Sequence, residues 1–163
     1  MSKISFCFFD WAQSEDILPQ MFDILFTNMS IIALTGNSYE EDKQMWLSSM
    51  TAEQGKEKQI LLMYVGEILA GYFQYRIDGN TMMIEEIEIV PDYQRTVLFY
   101  HFLKFIADIL PKDIVYVNAY INKYTSNSQQ IAEKLGMKIV GENKSGRSWR
   151  YQGKWIYFKR YLK

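Results

Sequence analysis

Three carboxylates stand within four residues of one another, at Glu85, Glu86 and Glu88. They alternate with apolar residues, which predicts a β-strand over 81–90. Side chains alternate between the faces of a strand, so Glu86 and Glu88 share one face and Glu85 lies on the other. A shared cleft would raise the pKa of a carboxyl group into the range of a general base. Pairing with basic neighbours would instead make the cluster structural, and the sequence leaves both open.

The strand leads directly into a second feature, which suits anion binding. Val90 and Pro91 end it, and a strongly apolar helix is predicted over 94–110. The first N–H groups of a helix have no partner inside the helix, and the helix dipole adds partial positive charge there. The junction therefore predicts a site for an anion such as a phosphate, against the alternative of a plain helix start without a ligand.

The stretch 84–99, IEEIEIVPDYQRTVLF, resembles the acyl-CoA loop of the GNAT superfamily of N-acetyltransferases. In that loop a strand ends near the pattern V-x-P, and the pattern Q/R-x-x-G-x-G/A follows it. Here Gln94 fills the first position of the second pattern, and Val97 and Phe99 stand at its two glycine positions. The resemblance implies acetyl-CoA as cosubstrate, with its pyrophosphate on the loop amides, and no metal. The implied cofactor-binding residues are Ile89, Val90, Gln94, Arg95, Thr96, Val97, Leu98 and Phe99, with Thr125 or Asn127 from a later segment. Side chains in place of glycine predict weak binding, which Arg95 partly offsets as a charged donor.

Two further segments are similar to the same family. Ala12-x-x-x-Asp16 resembles the start of its first helix, and 128–137, SQQIAEKLGM, resembles its late helix-to-strand segment. The resemblance implies a base for the amine among Glu86, Glu88 and Glu85, although some members carry a Glu at the position of Met83. The tyrosine that many members use as general acid falls on Ala132 here, so Tyr124 and Tyr120 are the nearby substitutes, with Tyr124 the preferred candidate.

Size and composition fit one globular domain over residues 1–163. The single Cys7 excludes an intramolecular disulfide and a cysteine-cluster metal site, and its apolar neighbours predict a buried side chain. No secretory signal and no apolar run near ~20 residues is present, so we expect a cytoplasmic protein without a membrane partner.

Charge is divided unevenly along the chain. Residues 1–142 hold 11 Lys/Arg and all 19 Asp/Glu, whereas 143–163 hold seven Lys/Arg and no acid. A basic terminal hairpin docked on an acidic body explains this better than an anion-facing tail. Trp149, Tyr151, Trp155 and Tyr157 alternate with basic residues there, which an amphipathic hairpin also explains, so we expect no nucleic-acid partner.

The order of predicted elements indicates an α/β (α+β) fold, with a mixed, mostly antiparallel sheet flanked by helices on both faces. It is also the element order of the GNAT fold. The predicted strands are 3–9, 59–65, 68–77, 81–90, 114–120, 137–141 and 155–162, with 149–151 in the same terminal hairpin; the helices are 14–29, 39–50, 94–110 and 126–135, and 51–58 is a loop.

The sequence thus predicts an acetyl-CoA-dependent N-acetyltransferase that acts on a primary amine by direct transfer. The acceptor is a small molecule or a peptide, and the acidic strand favours a cationic amine. The alternative is a non-catalytic GNAT-fold protein, a binding or dimerisation module that has lost acetyl-CoA binding. A homodimer is left open.

Overall fold

The computed structural model describes residues 3–29, 35–52, 58–94 and 97–162, and these hold seven strands and five α-helices. The strands are β1 Ile4–Phe8, β2 Gln59–Val65, β3 Ile68–Asp78, β4 Thr81–Ile89, β5 Tyr116–Asn122, β6 Lys138–Glu142 and β7 Ser148–Lys154. The helices are α1 Ser14–Met29, α2 Tyr39–Ala52, α3 Leu98–Ile109, α4 Ser126–Lys134 and α5 Trp155–Tyr161.

All seven strands belong to one sheet, in the order β1-β2-β3-β4-β5-β7-β6. The β1–β2, β5–β7 and β6–β7 pairs are antiparallel, while β4 and β5 run parallel. The ladder between β4 and β5 begins at Thr81 and Tyr116 and ends at Ile84 and Ala119, although both strands continue further. The predicted fold class, a mixed and mostly antiparallel sheet with flanking helices, is confirmed.

Contacts divide the chain into two compact units, Met1–Gln74 with Glu86–Thr96 and Tyr75–Glu85 with Val97–Lys163. The first unit has a core in which α1 and α2 pack against β2 and β3. Its buried members are Leu18, Met21, Ile24, Met50, Ile60, Leu62, Leu69 and Tyr72. Ser38 caps α2 as its sequence predicts, because its hydroxyl accepts from the Glu41 N–H at 3.2 Å.

The second unit contains α3, α4, α5 and the strands β5, β6 and β7. Alternate residues of the central strands are buried, among them Val117 on β5 and Tyr151 on β7. The apolar side of α3 is buried through Phe102, Leu103 and Ile106. Tyr100 of the same helix donates to the Leu162 carbonyl at 2.7 Å, which fastens α3 to the end of α5.

The C-terminal segment differs most from the sequence expectation. The sequence predicts a strand over 155–162, but 155–161 form α5. The buried members of the segment are Trp155, Phe158 and Leu162, spaced three and four residues apart, which is a helical period. Burial on one helix face therefore outweighed β-propensity. The basic strand of the expected terminal hairpin is instead β7, which pairs with both β5 and β6.

Smaller corrections concern element ends and one side chain. Helix α3 begins at Leu98 rather than at 94, because a 3-10 turn at Pro91–Tyr93 is followed by an extended Gln94. Strand β5 lies two residues later than predicted, and α2 continues to Ala52. Cys7 is exposed rather than buried, since β1 forms an edge of the sheet.

No described helix is long and apolar enough to span a bilayer. The expectations of a single domain and of a cytoplasmic location remain predictions.

Gly136 follows the end of α4 in a left-handed backbone conformation that favours glycine. Its φ is +82°, its N–H donates to the Glu133 carbonyl, and the Met137 N–H donates to the Ala132 carbonyl. This bond pair is the Schellman motif, which requires a left-handed residue. A Cβ at Gly136 would also lie 3.4 Å from Tyr157 side-chain atoms.

Gly136→Ala should therefore lower the free energy of unfolding by about 1–2 kcal/mol, measured by urea denaturation. Gly141→Ala is the matched control, because the nearest atom to its added Cβ lies 3.7 Å away and its φ is not left-handed. Equal effects of the two substitutions would contradict the role given to the Gly136 backbone.

Candidate active site

The end of β4 carries a partly buried carboxylate that is held by a residue of α1. The Asn28 Nδ2 group donates to Glu88 Oε2 at 2.7 Å and to the Ile89 carbonyl at 3.0 Å. Asn28 and Glu88 are 60 residues apart in sequence. The tie fixes the Glu88 carboxylate against the last turn of α1.

Burial changes the acidity of Glu88. Removal of the carboxylate from water disfavours its charged form and raises its pKa from 4.5 to about 7, and the hydrogen bond from Asn28 opposes the shift. The group is therefore close to half-ionised at neutral pH. A carboxyl group of this acidity can take up and release a proton under physiological conditions.

Tyr72 of β3 completes this cluster from the core of the first unit. Burial raises the pKa of its hydroxyl well above 10, and the carboxylates of Glu86 and Glu88 raise it further. The hydroxyl makes no hydrogen bond of ordinary geometry with a described residue, although Glu86 lies close enough to interact with it. Tyr72 therefore remains protonated, as an O–H group facing two carboxylates.

The glutamine at the start of the predicted anion loop belongs to the same network. The Gln94 Nε2 group donates to the Asn28 Oδ1 atom at 2.9 Å and to the Ile89 carbonyl at 2.9 Å. Asn28 thus bridges Glu88 and Gln94, and both amide side chains cap the end of β4. The Val90 N–H donates to the Ala70 carbonyl of β3 at 2.9 Å, so the hydrogen bonding of β4 to its neighbour extends one residue beyond the strand.

The start of α3, in the second unit, has no side-chain cap and no acidic residue in its first turn. Val97 precedes the helix with φ −72° and ψ 0°, a conformation that does not require glycine, and its side chain is 64% exposed. Leu98 is buried and Phe99 is half-buried. The backbone there is therefore an ordinary helix start suited to an anion. Arg95 and Thr96 lie outside the described residues.

The remaining candidates lie in the second unit. Glu85 is exposed and faces Arg76, with 3.7 Å between Oε2 and Nε. Tyr124 is 81% exposed at the end of β5, and its N–H donates to Asn122 Oδ1. Thr125 donates to the Asn122 carbonyl at 2.7 Å, and Asn127 is exposed in the first turn of α4.

The structure adds two residues that the sequence did not indicate. Asn28 stands alone near the end of an apolar helix, and Tyr72 lies in a continuous buried strand, so neither carries a local signal. Only the packing of α1 against the sheet brings Asn28 to Glu88. Among the described residues, no group of three or more His, Cys, Asp and Glu side chains could hold a metal ion.

The arrangement of strands and helices is the fold of GNAT acetyltransferases. The chain resembles solved structures of this fold over nearly its whole length, at sequence identities that establish the fold alone. No protein-family model matches the sequence, and no curated protein matches it.

Three of these structures illustrate the similarity. PaiA N-acetyltransferase from Thermoplasma acidophilum, in complex with coenzyme A, is 15% identical with a TM-score of 0.68, over 93% of this chain and 99% of that one. The ribosomal-protein-S18-alanine N-acetyltransferase of Escherichia coli is 14% identical with a TM-score of 0.65, over 93% and 94%. Mutant forms of the spermidine/spermine N-acetyltransferase SpeG of Vibrio cholerae are 12% identical with a TM-score of 0.61, over 98% of both chains.

The hydrogen bond from Asn28 to Glu88 leads to a prediction about the pKa of the Glu88 carboxyl group. The Asn28 hydrogen bond favours ionised Glu88, so Asn28→Ala should raise the pKa of Glu88 further, by roughly one unit. Side-chain carboxyl NMR titration measures the shift. Gln20→Ala is the control, because Gln20 is an exposed residue of α1 whose amide bonds to its own helix. An unchanged or lowered Glu88 pKa in folded Asn28→Ala would contradict the assignment.

Proposed function

We propose that the protein is an N-acetyltransferase that transfers the acetyl group of acetyl-CoA directly to a primary amine. The observation that carries this proposal is Glu88, a partly buried carboxyl group with a pKa of about 7 at the end of β4. A group of that acidity is what the transfer needs as a base, because an amine attacks only after losing its proton. The GNAT fold, shared with acetyltransferases over more than nine-tenths of the chain, supports the assignment.

The cosubstrate is proposed to bind with its pyrophosphate at the start of α3, on the N–H groups of 97–99. The absence of an acidic residue and of a side-chain cap in the first helical turn supports this placement. The pantetheine arm would follow β5 beyond Ala119, where its ladder with β4 ends, since a strand released from pairing on one side offers backbone groups to a ligand. A neighbour of the same fold is described in complex with coenzyme A.

The reaction places specific demands on the chain. Glu88 takes one proton of the ammonium group, the free amine attacks the thioester carbonyl carbon, and the C–S bond breaks as the nitrogen releases its second proton to solvent. The thiolate takes up one proton, for which Tyr124 is the candidate donor, and Tyr124 regains a proton from solvent. Glu86 and the Tyr72 hydroxyl belong to the same cluster, in which the carboxylates of Glu86 and Glu88 raise the pKa of the Tyr72 hydroxyl.

The proposed acceptor is a small-molecule or peptide amine. Two neighbours are named for such acceptors, a polyamine in one case and the alanine of a ribosomal protein in the other. The paired charge of Glu86 and Glu88 suits a cationic amine, because an ammonium group is attracted to carboxylates in a partly buried setting.

Glu88→Gln should lower turnover by about 10²-fold or more, because the amide keeps the size of the side chain and removes the base. The wild-type rate should rise with pH through a single ionisation near 7, the pKa of Glu88. That step should be absent in the variant. Acetylation of a panel of primary amines at several pH values measures both effects.

Glu85→Gln is the matched control, since Glu85 is exposed and faces Arg76. Wild-type turnover in Glu88→Gln and in the double variant Glu86→Gln/Glu88→Gln would exclude a carboxylate base in this cluster.

Val97→Gly should tighten acetyl-CoA binding several-fold, measured by calorimetry. The Val97 side chain occupies the open start of α3, and glycine would let phosphates approach the backbone. Ile109→Gly is the control, because Ile109 is also exposed but stands at the opposite end of α3. Equal or weaker binding in folded Val97→Gly would contradict the steric argument.

The alternative function is a GNAT-fold binding or dimerisation protein without catalysis, which the replacement of both loop glycines favours. A wild-type chain that shows neither acetyl-CoA binding nor turnover would support it.

A further inference from the structure

The strands β5, β7 and β6 present a polar, aromatic and basic face within the second unit. Side chains directly opposite each other in paired strands lie on one face. The register places Tyr116 opposite Lys154, Asn118 opposite Gln152, Tyr120 opposite Arg150, and Lys138 opposite Gln152 on the outer strand. These seven residues are called the tyrosine–cation face.

The other side of the same strands belongs to the core. Val117, Ala119 and Tyr151 alternate with the face residues, and all three are buried. Of the four aromatic residues that the C-terminal sequence interleaves with cations, Tyr151 and Trp155 are buried, Trp149 is half-buried and Tyr157 is exposed. The pairing of β7 with β5 instead places Lys154 beside Tyr116 and Arg150 beside Tyr120.

Much of the tyrosine–cation face is accessible. Tyr120 is 50% exposed, and Lys138 and Lys154 are exposed. The Arg150 guanidinium lies beside Gly141, where an added Cβ would be 3.7 Å from Arg150 Nε. None of the three cations forms an ion pair within the described ranges, and neither tyrosine ring is covered by a cation there.

Asn118 lies in the middle of this face but is nearly enclosed. The side chain is only 8% exposed, and its Oδ1 atom is buried, without a partner among the described residues. The carboxamide that the face offers to a ligand is therefore that of Gln152, which lies directly across from Asn118 and is half-buried.

Charge also separates between the two units. The second unit holds 13 Lys/Arg and six Asp/Glu, which gives a formal charge of +7. The first unit holds five Lys/Arg and 13 Asp/Glu, which gives a formal charge of −8. The face itself has three cations and no carboxylate. This charge favours an anionic ligand over a neutral or cationic one.

We propose that the tyrosine–cation face binds a short segment of single-stranded nucleic acid. Two unpaired bases stack on Tyr116 and Tyr120, which are ~13 Å apart along β5, a separation of four residues at the rise of a strand. A base edge bonds to the carboxamide of Gln152, as unpaired bases do on sheet surfaces. The phosphates lie beside Lys138, Arg150 and Lys154.

An acidic peptide fits these observations less well. Its carboxylates would satisfy the cations but would leave two tyrosine rings and the Gln152 carboxamide without partners. Duplex nucleic acid keeps its base faces stacked and so cannot use the rings.

Fluorescence anisotropy of the full-length protein with a labelled mixed-sequence single-stranded RNA of 12 nucleotides tests the proposal. Tyr120→Leu should weaken binding at least about fivefold, because stacking on an aromatic side chain is lost. Tyr161→Leu is the matched control, since Tyr161 is also 50% exposed but lies on α5. Circular dichroism confirms that both variants are folded.

The cations are tested through salt dependence. Arg150→Gln should reduce the slope of log affinity against log salt by ~0.7, the share of one phosphate contact on a single strand. Lys112→Gln, an equal charge change in the exposed loop after α3, should leave the slope nearly unchanged.

Three results would overturn the proposal. The first is no binding of the RNA at low salt. The second is an equal loss of RNA affinity in Tyr120→Leu and Tyr161→Leu, or an equal affinity of the wild-type protein for a duplex of the same length. Either outcome would show that the face binds polyanions without using its tyrosine rings. The third is complete displacement of the RNA by acetyl-CoA, which would show that it occupies the cosubstrate site. Because binding is measured without turnover, failure of the proposed acetyl transfer would leave it standing.

Discussion

The burial of one carboxylate at the end of β4 governs this site. Removing Glu88 from water is costly for its charged form, and the chain lowers that cost with a single neutral donor, Asn28, rather than with a cation. A cationic partner would hold the carboxylate ionised and depress its pKa. An amide donor leaves the pKa near neutrality, which keeps the group available for proton transfer.

The same amide joins that carboxylate to the turn that follows the strand. Asn28 and Gln94 share the Ile89 carbonyl and bond to each other, so the carboxylate and the beginning of the loop are set by one network. A change in the position of Gln94 would therefore alter the donor that Glu88 receives.

Two kinds of chemistry are separated in this fold. The first unit is acidic and holds the carboxylate cluster, and the second is basic and holds both the start of α3 and the tyrosine–cation face. Anionic ligands are attracted to the basic unit and cationic amines to the acidic one.

Local patterns in the sequence determined most of the fold. Helix α1, the meander β2–β3–β4 and the Gly136 stop follow from apolar period, turn residues and caps, which act between residues close in the chain. The sequence also placed Glu86 and Glu88 on one strand and Gln94 just beyond it. Tertiary structure alone decided the rest, because the partners are distant in sequence. It brought Asn28 to Glu88, turned residues 155–161 into a helix by burying one face, and set Tyr120 opposite Arg150 through the β5–β7 register.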